Sequence, residues 1–337
     1  MTPTVLQSIH RQSVNMNPYI AQLLRATETS GASNLFWSWK SAFFGNYDAV
    51  HFHWPETFYR SGGRCRTIVK SLVFILALIR WRLSHIPVIW TVHNTKPHEG
   101  GGFLERLADA IFRRQVRLAI RLNELDLDWD RLLPNAVVRT ILHGDYTKWM
   151  SEYDVEPAVE GRLCLFGMLR PYKGIEDLIA SFSSLKDSRY SLEISGSPNN
   201  EEYGRELESL VSTDSRISLN LRFLTDAELA RSVSSASLVV LPYKHLYNSG
   251  AILMALSLAR PVLVPKCSAT DLLVREFGPD WILQYEGDLD AFALERALAC
   301  RFVMASSETP KFDHRSWKEI GLLHVDSYRK VMKISEC

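Results

Sequence analysis

Short apolar runs alternate with longer stretches of helical periodicity along the whole 337-residue chain, and this alternation constrains the fold more than any other feature. Parallel strands need a crossover to return the chain, and a helix supplies it, so the pattern predicts an α/β protein built of βα units around parallel sheets. In the first half, strands are expected at Thr4 to His10, Asn34 to Trp39, Ala49 to His53, Pro87 to His93, Val116 to Leu122 and Val137 to His143. Helices are expected between them at Pro18 to Thr29, Cys65 to Leu83 and Phe103 to Arg114. The second half restarts at Arg162 to Phe166, with further strands at Ser191 to Ser195, Ser218 to Phe223, Leu238 to Pro242, Pro261 to Pro265 and Trp281 to Tyr285. Its helices are read at Ile175 to Leu185, Glu201 to Val211, Asp226 to Ser235, Ser249 to Leu258 and Asp288 to Ala305, with a last one from His314 to Ile334.

A chain of this length suits two cores rather than one. The segment Ser151 to Glu160 (SEYDVEPAVE) has no apolar period, carries four acids and a proline, and separates two patterned regions. It is expected to be the linker between a domain at 1–150 and a domain at 161–313, with 314–337 returning to the first.

Composition excludes several classes. Hydrophobic residues are 46% and charged residues 23%, so disorder is not expected. The net charge is only +1, yet residues 1–150 hold 18 Lys/Arg against 11 Asp/Glu, and Tyr59 to Leu122 hold 12 against 3. A basic surface there suits phosphate or anionic lipid, whereas no aromatic-basic module of a nucleic-acid binder is present. The apolar run Ser71 to Ile79 is far short of the ~20 residues that span a bilayer, and MTPTVLQSIHRQ lacks the plan of a secretory signal. Five scattered cysteines, with no CxxC pair, argue for neither zinc nor a disulfide framework and for a cytoplasmic setting.

Two stretches carry anion-binding chemistry. Gly167 to Gly174 (GMLRPYKG) joins a buried strand to a helix, so its amides and the helix N-terminus favour an anion, and Arg170 and Lys173 add two cations. A forked guanidinium and a point-charge ammonium together suit a diphosphate. The second stretch, Leu241 to Ala251, leaves a strand and opens a helix at Ser249, where Ser249 caps and Gly250 admits a ligand close to the backbone. Each of these residues alone also fits a solvated turn.

The order of these stretches, with Ser195-Gly196 between them and Ala259-Arg260-Pro261-Val262 after them, resembles the donor domain of the GT4-like (group 1) GT-B glycosyltransferases. The first half is similar to their acceptor domain, with YDAVHFHWPE, IPVIWTVHN and LHGDY at strand-end loops. The resemblance implies two Rossmann-like domains whose parallel sheets face a central cleft. It also implies donor contacts by Arg170, Lys173, Gly174, Gly196, Tyr247, Asn248, Ser249 and Gly250, with Phe223 near the nucleotide base. Retaining members carry two glutamates eight apart across the second stretch. Aligned on Arg260-Pro261-Val262, those positions are Leu246 and Met254 here, which implies inversion. The loop and SGAILMALSLARPV look most like bacterial exopolysaccharide mannosyltransferases that use GDP-mannose.

An inverting displacement needs a base from the first domain. Seven of ten histidines precede residue 150: His51 and His53 near Glu56, His93 near His98 and Glu99, His143 beside Asp145. Glu56, Glu99 and Asp145 are the candidate bases, and His93 matches a family histidine near the transferred sugar. Although His51, His53 and His93 could hold zinc, the resemblance implies cations and helix dipoles on the diphosphate, so neither metal nor cofactor is expected. The expected function is hexosyl transfer, mannose from GDP-mannose first and a UDP-hexose second, to a glycan or polyprenyl-diphosphate-linked acceptor. A GT-B-type sugar-nucleotide 2-epimerase and a non-catalytic nucleotide-sugar-binding subunit are the alternatives. The basic helices suit contact with the inner leaflet through their arginines, with Leu72, Phe74, Ile75 and Leu78 packed on the sheet.

Overall fold

A computed structural model describes residues 2–10, 17–94, 102–244, 246–248, 250–301 and 309–335. The chain divides into two compact units, Met1–Gly144 with Asp313–Cys337, and Asp145–Phe312.

In the first unit the strands are β1 (Thr4–Gln7), β2 (Ser33–Phe36), β3 (Ala49–Phe52), β4 (Val88–Val92), β5 (Val116–Arg121) and β6 (Val137–Thr140). They form one parallel sheet in the order β2-β1-β3-β4-β5-β6, in register through pairs such as Val5↔Ala49 and Phe52↔Trp90. β3 and β4 are buried along their whole length, and this two-sided burial is why they read as unbroken apolar runs instead of alternating. The connections are α1 (Pro18–Thr29), α2 (Trp39–Phe44), α3 (Glu56–Tyr59), α4 (Arg64–Leu83), α5 (Phe103–Gln115) and α6 (Trp129–Leu132).

The second unit opens with α7 (Thr147–Met150) and then runs β7 (Arg162–Phe166), α8 (Ile175–Ser183), β8 (Ser191–Ser195), α9 (Glu201–Val211), β9 (Ile217–Asn220) and α10 (Asp226–Ser234). It continues through β10 (Leu238–Val240), α11 (Gly250–Ser257), β11 (Val262–Pro265), α12 (Ser268–Phe277), β12 (Ile282–Tyr285) and α13 (Ala291–Arg301). Its parallel sheet has the order β12-β11-β10-β7-β8-β9, the doubly wound arrangement, and strand order reverses between β7 and β10. Ligands in such sheets bind beyond the carboxyl ends of the strands at that reversal, and both candidate stretches leave from there.

The last helix, α14 (Trp317–Ser335), belongs to the first unit, where Ile320, Val325, Tyr328 and Val331 share a core with Val5, Tyr19 and Leu23.

Several expectations change. The chain crosses between units at Gly144/Asp145, not within Ser151 to Glu160: Tyr146 and Met150 are already in the second unit's core, and Glu156 and Val159 donate backbone N–H to Ser234 Oγ and Ser235 O. The strand expected to reach Trp39 stops at Phe36, because Ser38 accepts from the Ser41 amide and starts α2. α12 is an unexpected helix; its cap position is Cys267, outside the usual Ser/Thr/Asp/Asn signal. On α4, Phe74 and Leu78 are buried as expected but Leu72 is exposed and Ile75 only half-buried, since the sheet covers one face of the helix alone.

Candidate active site

The basic turn of the second unit is held by backbone geometry. Gly167 (φ +98°) donates to Ser195 O at 3.0 Å, and Gly196 donates to Asn220 O at 2.9 Å. A Cβ on Gly196 would stand 1.9 Å from Gly167 O, so the loops after β7 and β8 touch only because that position is glycine. A 3-10 turn, Pro171–Lys173, follows, and Gly174 (φ +67°) enters α8 where a Cβ would stand 2.4 Å from Pro242 O. Lys244 donates its backbone N–H to Tyr172 O at 2.9 Å, joining the turn to the loop after β10.

Lys173 is 8% exposed, with Nζ 5.0 Å from the centre of the Tyr243 ring. Burial and then the neighbouring Arg170 charge pull its pKa down to about 8. The first-turn acids of α8 do not relieve it: Glu176 accepts from Tyr203 Oη at 2.7 Å, and Asp177 pairs with Lys244 at 3.0 Å. Among the described residues neither Arg170 nor Lys173 has a carboxylate partner, and Tyr243 Oη, though buried, has no hydrogen-bond partner. Two uncompensated cations beside a helix N-terminus at a sheet's switch point suit a polyanion.

The rest of the predicted donor set is more dispersed. Gly250 begins α11, Tyr247 and Asn248 are half-buried in the loop before it, and Ser249 lies outside the described residues. Phe223 is 56% exposed after β9, while Arg222 is committed to Glu228 at 2.6 Å within the cap of α10. Met254 is buried in an apolar cluster against which Leu246 packs. The positions where two glutamates were looked for are thus part of the core, and a carboxylate at 254 would be buried there at substantial cost.

In the first unit a chain of imidazoles and aromatic rings extends from the strand ends to α14. His53 Nδ1 and His93 Nε2 are 3.2 Å apart, His93 stacks on Trp54 at 4.6 Å, and Tyr19 stands edge-on to His93 at 5.2 Å and 4.6 Å from His143. His51 lies between Tyr328 Oη (2.9 Å) and Thr91 Oγ1 (2.8 Å). His143 and His324 each direct Nδ1 at a carbonyl, Gly144 O and Ile320 O, which fixes the Nδ1–H tautomer. Burial lowers every one of these rings, His93 to about 3 and His143 and His324 to about 4, so all are neutral at pH 7. His93 is therefore a hydrogen-bonding group and a weak base. Among the described residues no cluster of His, Cys, Asp or Glu has the geometry of a metal site.

Glu56, at the first position of α3, lines a cavity of about 10 Å³, room for one water, together with Trp54, Tyr59, Trp90, Asp109 and Arg113. Asp109 is engaged there by Tyr59 Oη (3.0 Å) and Arg113 (2.7 Å), and buried Trp90 Nε1 has no hydrogen-bond partner among the described residues. Sequence reasoning missed Asp109 and Arg113. The available signal was that Asp109 is one of only three acids in the basic segment. Asp145 is the first residue of the second unit, not a residue of the first, and its Oδ1 accepts from the Thr147 amide at 2.8 Å. Glu99 and His98 lie outside the described residues.

Residues 160–298 match the family model described as Glycosyl transferases group 1. Over 334 residues the chain is 37% identical to the GDP-mannose:glycolipid 4-beta-D-mannosyltransferase of Xanthomonas campestris pv. campestris, covering 98% of this chain and 93% of that one. Among solved structures, Anabaena HepE in complex with UDP-glucose superposes with a TM-score of 0.62 at 12% identity, over 99% of this chain and 98% of that chain. Sucrose-phosphate synthase from Thermosynechococcus elongatus also gives 0.62, at 15% identity over 100% and 98%. At these identities the likeness concerns the fold, two parallel sheets of the GT-B type.

Proposed function

Because this chain belongs to the group 1 glycosyl transferases and is a GT-B hexosyltransferase, we propose that it moves mannose from GDP-mannose to a hydroxyl of a lipid-linked glycan, with inversion, in exopolysaccharide or other cell-surface glycan synthesis. The relative's name supports the donor sugar, the glycolipid acceptor and the β product, and an α-linked sugar nucleotide gives a β linkage only by inversion.

The observation that carries the reading is the buried Lys173, with no acidic partner among the described residues, beside Arg170 at the switch point of the second sheet. In the proposed step the acceptor oxygen bonds to the anomeric carbon as the bond from that carbon to the diphosphate breaks. The departing negative charge is taken up by Arg170, Lys173 and the amides at the start of α8 and α11. The hydroxyl proton passes to a carboxylate. Glu56 is the base we favour: Asp145 Oδ1 accepts from the Thr147 amide, and His93, at about 3, is too weakly basic. His93 instead hydrogen-bonds the sugar in its neutral form, and no metal or cofactor takes part.

A melting-temperature screen of GDP, UDP and their sugars against the purified chain tests the donor, because a ligand that binds only the folded state raises Tm. GDP and GDP-mannose are expected to raise it more than the uridine series, and the opposite order would sink the GDP assignment. Glu56→Gln is expected to lower transfer by about 10²–10⁴-fold while the GDP shift is kept. Epimerisation of GDP-mannose without acceptor would replace the transferase reading with the 2-epimerase one. Among the described residues no helix is long and apolar enough to cross a membrane, and we read the protein as a cytoplasmic enzyme that meets its acceptor at the inner leaflet.

A further inference from the structure

The cavity beside Glu56 brings together two unmet hydrogen-bonding atoms. Its lining includes His53, Glu56, Trp90, Asp109 and Arg113. Trp90 is 3% exposed and His53 1%, and neither Trp90 Nε1 nor His53 Nε2 has a hydrogen-bond partner among the described residues. The guanidinium of Arg113 lies over the Trp90 ring at 5.1 Å and holds that ring in place. An indole N–H can only donate, so the group that meets it must accept. The space of about 10 Å³ admits one water, and a buried water needs two to four polar partners, which this lining supplies. On its other side His53 presents Nδ1 to His93 Nε2 at 3.2 Å, and the His93 ring is fixed by stacking on Trp54 at 4.6 Å and by the edge of Tyr19 at 5.2 Å. Since both rings are neutral, their tautomers are coupled. With the hydrogen of His53 on Nε2, its Nδ1 accepts from His93 Nε2–H and His93 Nδ1 is a bare acceptor; with it on Nδ1, His93 presents Nδ1–H instead.

We infer that this cavity is the site of one structural water, bound between Trp90 Nε1, His53 Nε2 and the carboxylates, and that the water fixes the tautomer of His53 and through it that of His93. Trp90 and His53 are then positioning residues, and His93 Nδ1 is held as an acceptor for a hydroxyl of the bound sugar. Charge sets the direction. Glu56 and Asp109 against the single cation Arg113 make the cavity net negative, and a ring N–H directed into a negative site is favoured over a lone pair. The water accepts from Trp90 Nε1–H and His53 Nε2–H, which uses both its lone pairs, and gives its two hydrogens to the carboxylates. All four of its positions are met in this way. The inference deepens the reading above and rests on it only for the hydroxyl at His93; the water and the tautomers belong to the first unit by itself.

The test is nitrogen-15 NMR of the full chain labelled at histidine, in which a ring nitrogen that bears hydrogen is distinguished from a bare one. At neutral pH, His53 and His93 of the wild type are each expected to carry hydrogen on Nε2 and none on Nδ1. Trp90→Phe removes the indole donor and keeps an aromatic ring. It is expected to let His93 populate both tautomers and to lower kcat/KM for GDP-mannose by about 10–100-fold, while the GDP-induced rise in Tm stays as in wild type. A purely structural role for Trp90 would lower Tm and leave the single tautomer intact. The inference is overturned if wild-type His93 carries its hydrogen on Nδ1 or populates both tautomers, or if Trp90→Phe leaves tautomer and kcat/KM unchanged. Should Trp90→Phe fail to fold, the wild-type spectrum still decides, together with a crystal structure of the wild type. The crystal structure is expected to show the water on Trp90 Nε1 and His53 Nε2, and side chains closing the space would overturn the inference. A wild type with the expected tautomers but no rise in Tm on adding GDP would remove the donor assignment and leave the water site standing.

Discussion

In the proposed diphosphate site, Lys173 is the residue where stability and binding would conflict. An ammonium 8% exposed and with no carboxylate partner among the described residues destabilises the unliganded fold, and its pKa near 8 against an ordinary 10.5 records that. Between those values the unfolded chain holds more protons than the folded one, so the penalty is full below pH 8 and is relieved as pH rises toward 10.5. Lys173→Met is therefore expected to raise the Tm of the unliganded protein at pH 7, by about 2–4 °C for each kcal/mol recovered, and to abolish the shift given by GDP. A variant that lost Tm would show that the ammonium is compensated. For the diphosphate the sign reverses, since binding needs the protonated form. In isothermal titration GDP affinity should fall as pH rises through about 8 in wild type and stay level in Lys173→Arg. Gly196 makes the complementary point about backbone: Gly196→Ala forces its Cβ onto Gly167 O, and a loss of roughly 2 kcal/mol or more in denaturant unfolding is expected.

At the scale of elements, α14 completes the first unit although it is distant in sequence. Its Tyr328 hydroxyl meets His51, and Gly321 brings it against α1 so closely that a Cβ there would be 2.3 Å from Ala26 O. This allows a test of opposite signs. Intrinsic helix propensity favours Gly321→Ala by about 1 kcal/mol, whereas the close approach predicts a net destabilisation of about 1–3 kcal/mol through forced separation of α1 and α14. Urea unfolding of the variant decides between them. Tyr328→Ala, which removes a fully buried ring and the partner of His51, is expected to cost about 3–5 kcal/mol.

For the whole molecule, the charge-sensitive groups are distributed unequally between the units. His51, His53, His93, His143 and His324 all belong to the first, and all are held below the ordinary histidine value. A depressed folded pKa means that the unfolded state takes up protons first. The stability these rings confer is complete above about pH 6.5 and is lost as pH falls toward 4 and 3, at up to about 1.4 kcal/mol per pH unit for each ring. In the second unit the sequence places only His245. Scanning calorimetry from pH 7 to pH 4.5 should move one unfolding transition down steeply and the other little. Parallel movement of both would contradict the assignment of acid lability to the first unit.

The class of fold, most strand positions and the basic turn were legible because they depend on short-range order. Buried parallel strands impose apolar runs, crossovers impose a helical period, and GMLRPYKG announces its own turn through Gly174 and its charge through Arg170 and Lys173. That Leu246 and Met254 stand where retaining relatives carry two glutamates was legible only through the family resemblance, and in the structure Met254 is part of an apolar core. What the sequence could not decide was which side of an element would be covered. Leu72 and Phe74 are equivalent as residues on one helix, yet the sheet lies against Phe74 and leaves Leu72 open. Asp145 was expected in the first unit and belongs to the second, because the crossing point depends on which core receives Tyr146 and Met150. Nor could any local pattern reveal that Lys173 is buried with no acidic partner among the described residues or that His53 and His93 share a hydrogen bond. Local periodicity is set by neighbours a few residues apart, whereas burial, pKa and partnership are set by groups that only folding brings together.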